Sequence, residues 1–480
     1  MVANMLFFNS MWIYTIILIV YVITVFGIVG VVISENRNPV KSLAWVTVLL
    51  LVPIIGMVLY AFFGRSFKSK RMISRKNKRK LRRSEVFKQI DSGELNLSRE
   101  SIQQIRLAHS LSGAEYFPGN KIEIFTNGKS KFSAFKRDLL NATEYIHMQY
   151  YIFEEGEIGN EICEILKQKA KEGVKVRVIY DHVGCFNVKK RFYNDMRNAG
   201  VDVQPFMKVT FPQFATRINW RNHRKITVID GEIGYIGGMN IADRYIQGVS
   251  FGAWRDTHLR IIGPAVGGLQ YSFAVDWNFM GKPLLIETTK RYNLLDNADA
   301  GIQVLTSGPL GQWSNISFLF LKAIANAKKS IYIQTPYFLP TESLLKTLQT
   351  AALSKVDVRI MIPRRSDSLI LKLASFSYIS ECLKAGIKIY LYDAGMMHAK
   401  TIIVDDEFCT TGSTNFDFRS FEHNFEGNVF IYSTSINTQM REIYLTDLQH
   451  CTRINITQWR HRSQYERFSE SLVRLLSPVL

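Results

Sequence analysis

The 480 residues carry 60 Lys and Arg against 41 Asp and Glu, a formal charge of +19, and 47% of them are hydrophobic, enough to bury two sizeable half-domains beyond any membrane segment. The five cysteines, Cys163, Cys185, Cys382, Cys409 and Cys451, form neither a C-x-x-C pair nor a disulfide framework, which excludes a disulfide scaffold and suits a reducing compartment. No low-complexity segment interrupts the chain.

Residues 11–33 and 42–63 contain no charged side chain, and each reaches the roughly 20 residues that span a bilayer. Only SENRNPVK separates them, so the sequence predicts a transmembrane helical hairpin over residues 1–64, with Pro53 tolerated inside the second span. A cleaved signal peptide fits less well, since the first segment has no basic leader and a second apolar segment follows at once. Arg65 to Arg83 then holds eleven Lys or Arg and no acid, whereas the turn between the spans holds Arg37 and Lys41. By the positive-inside rule everything downstream is expected in the cytoplasm, with the chain a multi-pass protein of a cell membrane, which the resemblance given below makes a bacterial one. Directly after a membrane helix, this basic run is read as a juxtamembrane linker (65–109) that binds anionic headgroups rather than as a nucleic-acid arm.

From about residue 110 apolar spacing alternates between helix and strand. Ala134 to Phe153 and Gly159 to Asp181 each read as an amphipathic helix running into a β-branched strand. Gln204 to Asn222 interleaves Phe206, Phe211, Phe214 and Trp220 with Lys208, Arg217 and Arg221, which suits either an interfacial lip for lipid headgroups or a hairpin with an ordinary core face. Next comes RNHRKITVIDGEIGYIGGMN, with His223, Lys225, Asp230, Gly237 and Asn240.

A lone His-x-Lys is a weak signal, but the whole order recurs. Leu319 to Phe338 and Thr341 to Pro363 repeat the two helix–strand units, with Gln334 matching Gln149. MHAKTIIVDDEFCTTGSTN then places His398, Lys400, Asp405, Gly412 and Asn415 at the same offsets. An internal duplication repeats whole supersecondary units, and the sequence predicts two pseudo-symmetric α/β half-domains, 110–295 and 296–480, each with a mostly parallel sheet flanked by helices. Packed together, they would bring both His/Lys pairs to one pocket.

The candidate catalytic set is therefore His223, Lys225 and Asp230 with His398, Lys400 and Asp405. The doubled motif resembles that of the phospholipase D superfamily, which implies exchange at a phosphodiester; that needs a nucleophile, a proton donor for the leaving alcohol, and groups that hold the nonbridging oxygens. The two histidines supply the first two roles, with His223 read as nucleophile and His398 as acid and then base. Lys225, Lys400, Asn240 and Asn415 suit the phosphate oxygens, while Asp230 and Asp405, each beginning a turn after a strand, read as supports. Lysine beside each histidine repels a cation and no other ligand cluster appears, so no metal is expected. The remaining seven histidines have no partner pattern and read as structural or surface residues.

The doubled pattern H-x-K-(x)4-D-(x)6-G-[GS]-x-N resembles the phospholipase D superfamily signature, and with the apolar N-terminus and polybasic flank the chain is similar to bacterial cardiolipin synthases. The resemblance implies an acid placed against each histidine, for which Asp256 and Glu426 are the candidates. It implies transfer of a phosphatidyl group from one phosphatidylglycerol to another through a phosphatidyl-histidine, with no cofactor and no nucleotide. Phosphatidylglycerol and other anionic membrane lipids are the expected partners, and nucleic acid is not. A membrane-anchored phospholipase D that hydrolyses phosphatidyl lipids would use the same residues, and a nuclease of the superfamily or a non-catalytic scaffold would be further alternatives.

Overall fold

The computed structural model describes residues 2–34, 39–60, 64, 72–82, 97–209, 219–286, 298–475 and 477. The chain divides into two compact units, one that takes in the N-terminal segment to Phe67 together with Asn219, and a large one that holds both sequence repeats.

In the N-terminal unit, α1 (Val2–Ser34) is one continuous helix, of which Trp12–Ser34 is long and apolar enough to cross a membrane. The second apolar segment is not one continuous helix. It forms α2 (Pro39–Leu51) and α3 (Pro53–Leu59), broken at Val52 with φ −134° and ψ 68°. Proline lacks the N–H that would continue the helix and pushes its predecessor out of the α region, which is the physical reason the helix breaks here. The chain folds back after the break: the Trp45 and Tyr60 rings lie 5.3 Å apart, and a Cβ on Gly56 would come within 2.9 Å of the Val48 carbonyl oxygen. Thirteen and seven residues make helices of roughly 20 and 10 Å, both short of a ~30 Å hydrocarbon core. Val32, Leu49 and Tyr60 form this unit's small buried cluster.

In the large unit, α4 (Arg75–Leu81) carries part of the polybasic run. It docks through buried Leu81, through Asn77 on Asn278 at 3.2 Å and through Arg82 on the Gly113 carbonyl, while Arg75, Lys76, Arg79 and Lys80 stay exposed. Residues 65–71 and 83 of that run lie outside the described residues.

The first repeat runs α5 (Arg99–Ser112), β1 (Tyr116–Phe125), α6 (Gly128–Leu140), β2 (Tyr145–Tyr150), α7 (Glu157–Lys171), β3 (Lys175–Asp181), α8 (Lys190–Asn198), β4 (Asp202–Phe206), β5 (Ile226–Ile229), β6 (Ile233–Gly237), α9 (Arg244–Gln247), β7 (Ala253–Arg255), β8 (His258–Ile262) and α10 (Val266–Phe279). The second begins with β9 (Ala300–Ser307), α11 (Asn315–Asn326), β10 (Ser330–Gln334), β11 (Phe338–Leu339), α12 (Glu342–Leu353), β12 (Asp357–Pro363), α13 (Leu369–Ser377), α14 (Ile379–Lys384), β13 (Lys388–Tyr392) and β14 (Gly395–Met397). It ends with β15 (Thr401–Val404), β16 (Phe408–Gly412), β17 (Phe416–Asp417), α15 (Phe418–Glu422), β18 (Glu426–Tyr432), α16 (Thr434–Leu448), β19 (Cys451–Arg453), α17 (Ile456–Arg460) and α18 (Gln464–Arg474).

Among the described residues fifteen strands join in one sheet, and the order β1-β8-β6-β5-β2-β3-β4 of the first repeat is matched by β9-β18-β16-β15-β10-β12-β13 of the second. The halves meet where β1 and β9 pair antiparallel. Each half is mixed rather than mostly parallel. Strands β2, β3 and β4 run parallel, as do β10, β12 and β13, because helices return the chain between them. The motif strands instead come as tight hairpins, β5–β6 and β15–β16, and a tight hairpin can pair only antiparallel. Helices cover the sheet by apolar faces at helical spacing, such as Ile158, Ile162 and Leu166 of α7 and Leu344, Leu348 and Ala351 of α12.

Candidate active site

Each motif begins where a loop enters the hairpin. His223 follows Asn222, which bridges in parallel to Phe425, and its N–H donates to the Phe425 carbonyl at 2.9 Å. His398 follows β14, which pairs in parallel with β7 so that Met397 faces Arg255, and its N–H donates to the Arg255 carbonyl at 2.7 Å. The residue after Phe425 is Glu426, and the residue after Arg255 is Asp256. Each acid is thereby delivered to the histidine of the opposite half.

His223 Nδ1 lies 3.0 Å from Glu426 Oε1, and His398 Nδ1 lies 2.6 Å from Asp256 Oδ2. An ionised carboxylate only accepts, so the proton sits on Nδ1 and each ring keeps its lone pair on Nε2, which at His398 has Lys400 Nζ 3.4 Å away. Both acids are fully buried. Burial alone would raise their pKa values, but His223 and Lys225 outweigh it at Glu426, and Lys400 and His398 at Asp256, so both stay ionised below the usual range.

The two pairs solve one problem differently. Gly238 lies against Asp256, and a Cβ there would meet the carboxylate at 2.0 Å, so the motif's second glycine makes room for the acid. The second repeat has Ser413 at that position, and its hydroxyl donates to the Glu426 carboxylate, which also accepts from Asn424 Nδ2 at 3.2 Å. The motif's first glycine serves the sheet: a Cβ on Gly237 would come 2.5 Å from His258 Cα, and one on Gly412 would come 2.3 Å from the Gly427 carbonyl.

Lys225 Nζ donates to the His223 carbonyl at 2.6 Å and Lys400 Nζ to the His398 carbonyl at 2.5 Å. Both ammonium groups are buried, which pulls their pKa values down, Lys225 well below its usual value. Burial also lowers both histidines. At His223 it outweighs the raising effect of Glu426; at His398 burial and Lys400, 2.9 Å from Nδ1, bring the ring to about 4. Lys400 also depresses His223, and Asp256 and Glu426 both act on Lys225 and Lys400, so the two motifs share one electrostatic site. There two buried lysines lie among two buried carboxylates and two histidines held toward the neutral form, in a desolvated setting.

Asp230 and Asp405 face the other end of their strands. Asp230 accepts from the backbone N–H groups of Thr143, Glu144 and Tyr145 at 2.7 to 2.8 Å, and Asp405 from those of Lys328, Lys329 and Ser330 at 2.7 to 2.9 Å. Each sits in the left-handed region (φ 52° and 47°) and ties its hairpin to the head of the neighbouring strand, a supporting and not a catalytic position. Asn240, expected at the phosphate, has its amide engaged: Oδ1 accepts from Ile152 N–H at 3.1 Å and Nδ2 donates to Tyr245 OH at 2.8 Å. Asn415 Oδ1 is buried with no hydrogen-bond partner.

Several neighbours carried no sequence signal that was read. Tyr151 stands edge-on to His223, with ring centroids 5.0 Å apart, and Trp254 lies 5.0 Å from His398. Arg224, inside the first motif, binds Asp276 at 2.5 Å and the Glu426 carbonyl at 3.0 Å; Arg255 binds Asp447 at 3.0 Å and the Asp256 carbonyl at 2.7 Å. Gln149 and Gln334, the matched glutamines of the repeats, donate to the same two aspartates. An aspartate on the buried face of each helix α10 and α16 was the available clue. Of the proposed lip, Phe206 and Arg221 are buried, the latter paired with Asp181 at 3.2 Å, which favours the core-face reading there; residues 210–218 lie outside the described residues. His147 is structural, stacked on Tyr145 and Phe273 and bonded to Gln270. Among the described residues no group of three or more His, Cys, Asp or Glu side chains is placed to hold a metal ion.

A family model described as "Cardiolipin synthase, PLD-like domain" matches residues 135–249 and 320–448, and one described as "Phospholipase_D-nuclease N-terminal" matches residues 11–65. The chain is 42% identical to a cardiolipin synthase of Halalkalibacterium halodurans, over 98% of this chain and 95% of the relative. It is 37% identical to the major cardiolipin synthase ClsA of Bacillus subtilis, over 96% and 98%. The crystal structure of a phosphatidylserine synthase from Haemophilus influenzae covers 79% of this chain and 100% of its own with a TM-score of 0.61 at 15% identity, a likeness of fold. Matched over both repeats and along nearly its whole length, the chain belongs to the cardiolipin synthase family of the phospholipase D superfamily, whose members are membrane-associated phosphatidyltransferases.

Proposed function

We propose that this chain makes cardiolipin by moving a phosphatidyl group between two phosphatidylglycerol molecules through a phosphatidyl-histidine. The observation that carries the reading is the crossed pairing of His223 with Glu426 and His398 with Asp256, which ties the two histidines of the two halves into one electrostatic site.

In the first step His223 Nε2 attacks phosphorus and the P–O bond to glycerol breaks, with His398 giving its Nε2 proton to the departing glycerol oxygen. In the second, His398 takes the proton of a primary hydroxyl on another phosphatidylglycerol. That oxygen attacks phosphorus, the P–N bond breaks, and cardiolipin leaves. One phosphodiester is lost and one formed, so no nucleotide enters. Lys225 and Lys400 would face the nonbridging oxygens; Asn240 and Asn415 would do so only after exchanging their present bonds, that of Asn415 being to Asp417. Bound phosphodiester brings the negative charge that raises both histidines toward the protonated form. The reversed assignment is favoured by one observation, the pKa of about 4 at His398, which suits a ring that begins neutral. Trapping labelled phosphatidyl-enzyme in His223→Ala and in His398→Ala, and mapping the labelled residue, decides between them.

We further propose that α1 crosses the bilayer once and that the folded-back segment 39–59 re-enters without crossing. Arg37, Lys41 and the polybasic run then lie on one side, which the positive-inside rule makes the cytoplasm, together with the catalytic halves. The test of the reaction is product analysis from purified protein in phosphatidylglycerol vesicles. Cardiolipin with one glycerol per molecule is expected. Phosphatidic acid alone would mean that water is the acceptor and that the protein is a phospholipase D.

A further inference from the structure

The C-terminal helix α18 carries apolar side chains on the wrong side for a core. Tyr465, Phe468, Leu472 and Leu475 are 80%, 67%, 55% and 76% exposed, and their spacing of three, four and three residues sets them on one helical face. The opposite face is docked on the protein. Arg474 binds Glu381 at 2.5 Å and lies over the Tyr378 ring, while Glu470 is buried against Arg462, which itself lies 3.2 Å over the Trp459 ring. Val473 packs on the main core. The helix is thus fixed with an aromatic and aliphatic stripe facing out.

The neighbouring helix adds to the surface. α13 packs against α18, and its first two residues, Leu369 and Ile370, are 68% and 50% exposed. Arg460 and Arg467 are exposed on or beside α18, Arg365 is exposed just before α13, and Lys372 lies half-buried within it. Single exposed leucines are ordinary, but six large apolar side chains on two packed helices, with three exposed arginines (Arg365, Arg460, Arg467) against two exposed acids (Asp367, Glu466) on or beside those helices, mark a contact surface. Apolar side chains beside basic ones, with a tyrosine among them, have the chemistry of a helix lying in an anionic membrane interface, its rings at headgroup depth and its guanidinium groups on phosphate.

We infer that the outer face of α18, with the start of α13, docks on an anionic bilayer surface as a contact separate from the N-terminal apolar helix. Two features favour lipid over a second copy of the chain: the exposed arginines suit phosphate headgroups, and membrane association is a property of the family. α13 follows directly on the loop holding Asp367, which accepts from Tyr337 OH at 2.7 Å and contributes to the electrostatics of His398 and Lys400. Docking there would hold that side of the catalytic halves at the lipid surface from which a phospholipid headgroup must come.

The test uses full-length protein in vesicles of phosphatidylglycerol and phosphatidylcholine, with Cys451 replaced by serine and a fluorophore on Phe468→Cys. The control carries the label on Leu353→Cys, at a leucine 65% exposed on α12. A blue-shifted label at 468, quenched by nitroxide lipid at least twofold more than the label at 353 and more strongly as phosphatidylglycerol rises, is expected. Equal quenching at the two sites would overturn the proposal, as would a blue shift insensitive to nitroxide lipid that grows with protein concentration, the mark of a second copy. This readout needs no turnover, so it stands or falls separately from the reaction. As a second arm, Phe468→Asp with Leu472→Asp should lower the rate on vesicle lipid about tenfold and leave the rate in saturating mixed micelles unchanged; an equal loss in both would count against docking.

Discussion

The two repeats orient their histidines by unlike means. In one pairing a short acid, Asp256, reaches His398 at 2.6 Å because Gly238 leaves space for its carboxylate; in the other a longer acid, Glu426, sits 3.0 Å from His223 and is steadied by Ser413 and Asn424. The electrostatics diverge in the same way. Lys400 lies against the His398 ring itself, while Lys225 is bonded only to the His223 carbonyl and stands 5.4 Å over the Tyr151 ring. The frame is common to both halves, and the acid, its support and the place of the lysine differ between them.

The comparison breaks most completely if the histidines themselves are removed. His223→Ala and His398→Ala are each expected to lose transfer by about 10⁴-fold or more, and the double variant to lose little further, since groups that act as a unit are not additive. Thermal unfolding should be nearly unchanged. A folded single variant that keeps a tenth of its activity would sink the shared-site mechanism.

Next come the acids. Asp256→Asn and Glu426→Gln keep shape but offer an amide that can turn the ring to the wrong tautomer, a loss of about 10² to 10⁴ by analogy with other His–acid pairs. The tighter pair predicts the larger loss for Asp256→Asn. Equal losses, read as kcat in vesicles, would mean that the difference between the halves has no catalytic weight.

The supporting aspartates sharpen the distinction between holding and reacting. Asp230→Ala and Asp405→Ala each strip a carboxylate from three backbone N–H groups at the head of β2 or β10, and are expected to cost about 3 kcal/mol of stability. The fraction that stays folded should turn over within about threefold of the parent. A thousandfold loss in a protein of normal stability would return both residues to the chemistry.

Such a separation was partly legible in the sequence. The repeat of His223, Lys225, Asp230, Gly237 and Asn240 in the second half gave the site, and helical spacing gave α6, α7, α11 and α12, because both are local patterns. Which acid serves which histidine was not local. Glu426 stands 203 residues from His223 and Asp256 142 from His398, and only the parallel pairings across the halves, β7 with β14 and Asn222 with Phe425, bring them together. The mixed sheet was missed for a related reason: alternating helix and strand reads as parallel, and the motif hairpins that reverse it are short, buried on both faces and free of period-two alternation. Composition placed the second membrane segment, whereas a single backbone break at Val52 decided its shape.

A pH series reads the His398 difference through folding. Its folded pKa is lowered to about 4 by burial and Lys400, against roughly 6.5 in an unfolded chain. Between those values the unfolded state binds the proton that the native state refuses, so stability falls as pH drops from about 6.5 toward 4. In denaturant titrations across that window His398→Gln should flatten the fall measurably, and a slope unchanged by the substitution would mean that His398 titrates normally. His223→Gln should flatten it less: Lys225 and Lys400 also lower that ring, but neither touches it as Lys400 touches His398.

The smallest effect tests how the longer acid is steadied. Ser413→Ala removes the one hydroxyl donor to Glu426 but leaves Asn424 and His223 in place, so a loss of about 1 to 2 kcal/mol in transition-state stabilisation, roughly tenfold in kcat/KM, is expected. Its mirror, Gly238→Ala, puts a methyl where the Asp256 carboxylate now lies, and should cost more than the serine does although it deletes no bond. If Ser413→Ala proves the more damaging of the two, the glycine's space is not what lets the shorter acid reach its histidine, and the unlike acids reflect drift between the repeats rather than two fitted solutions.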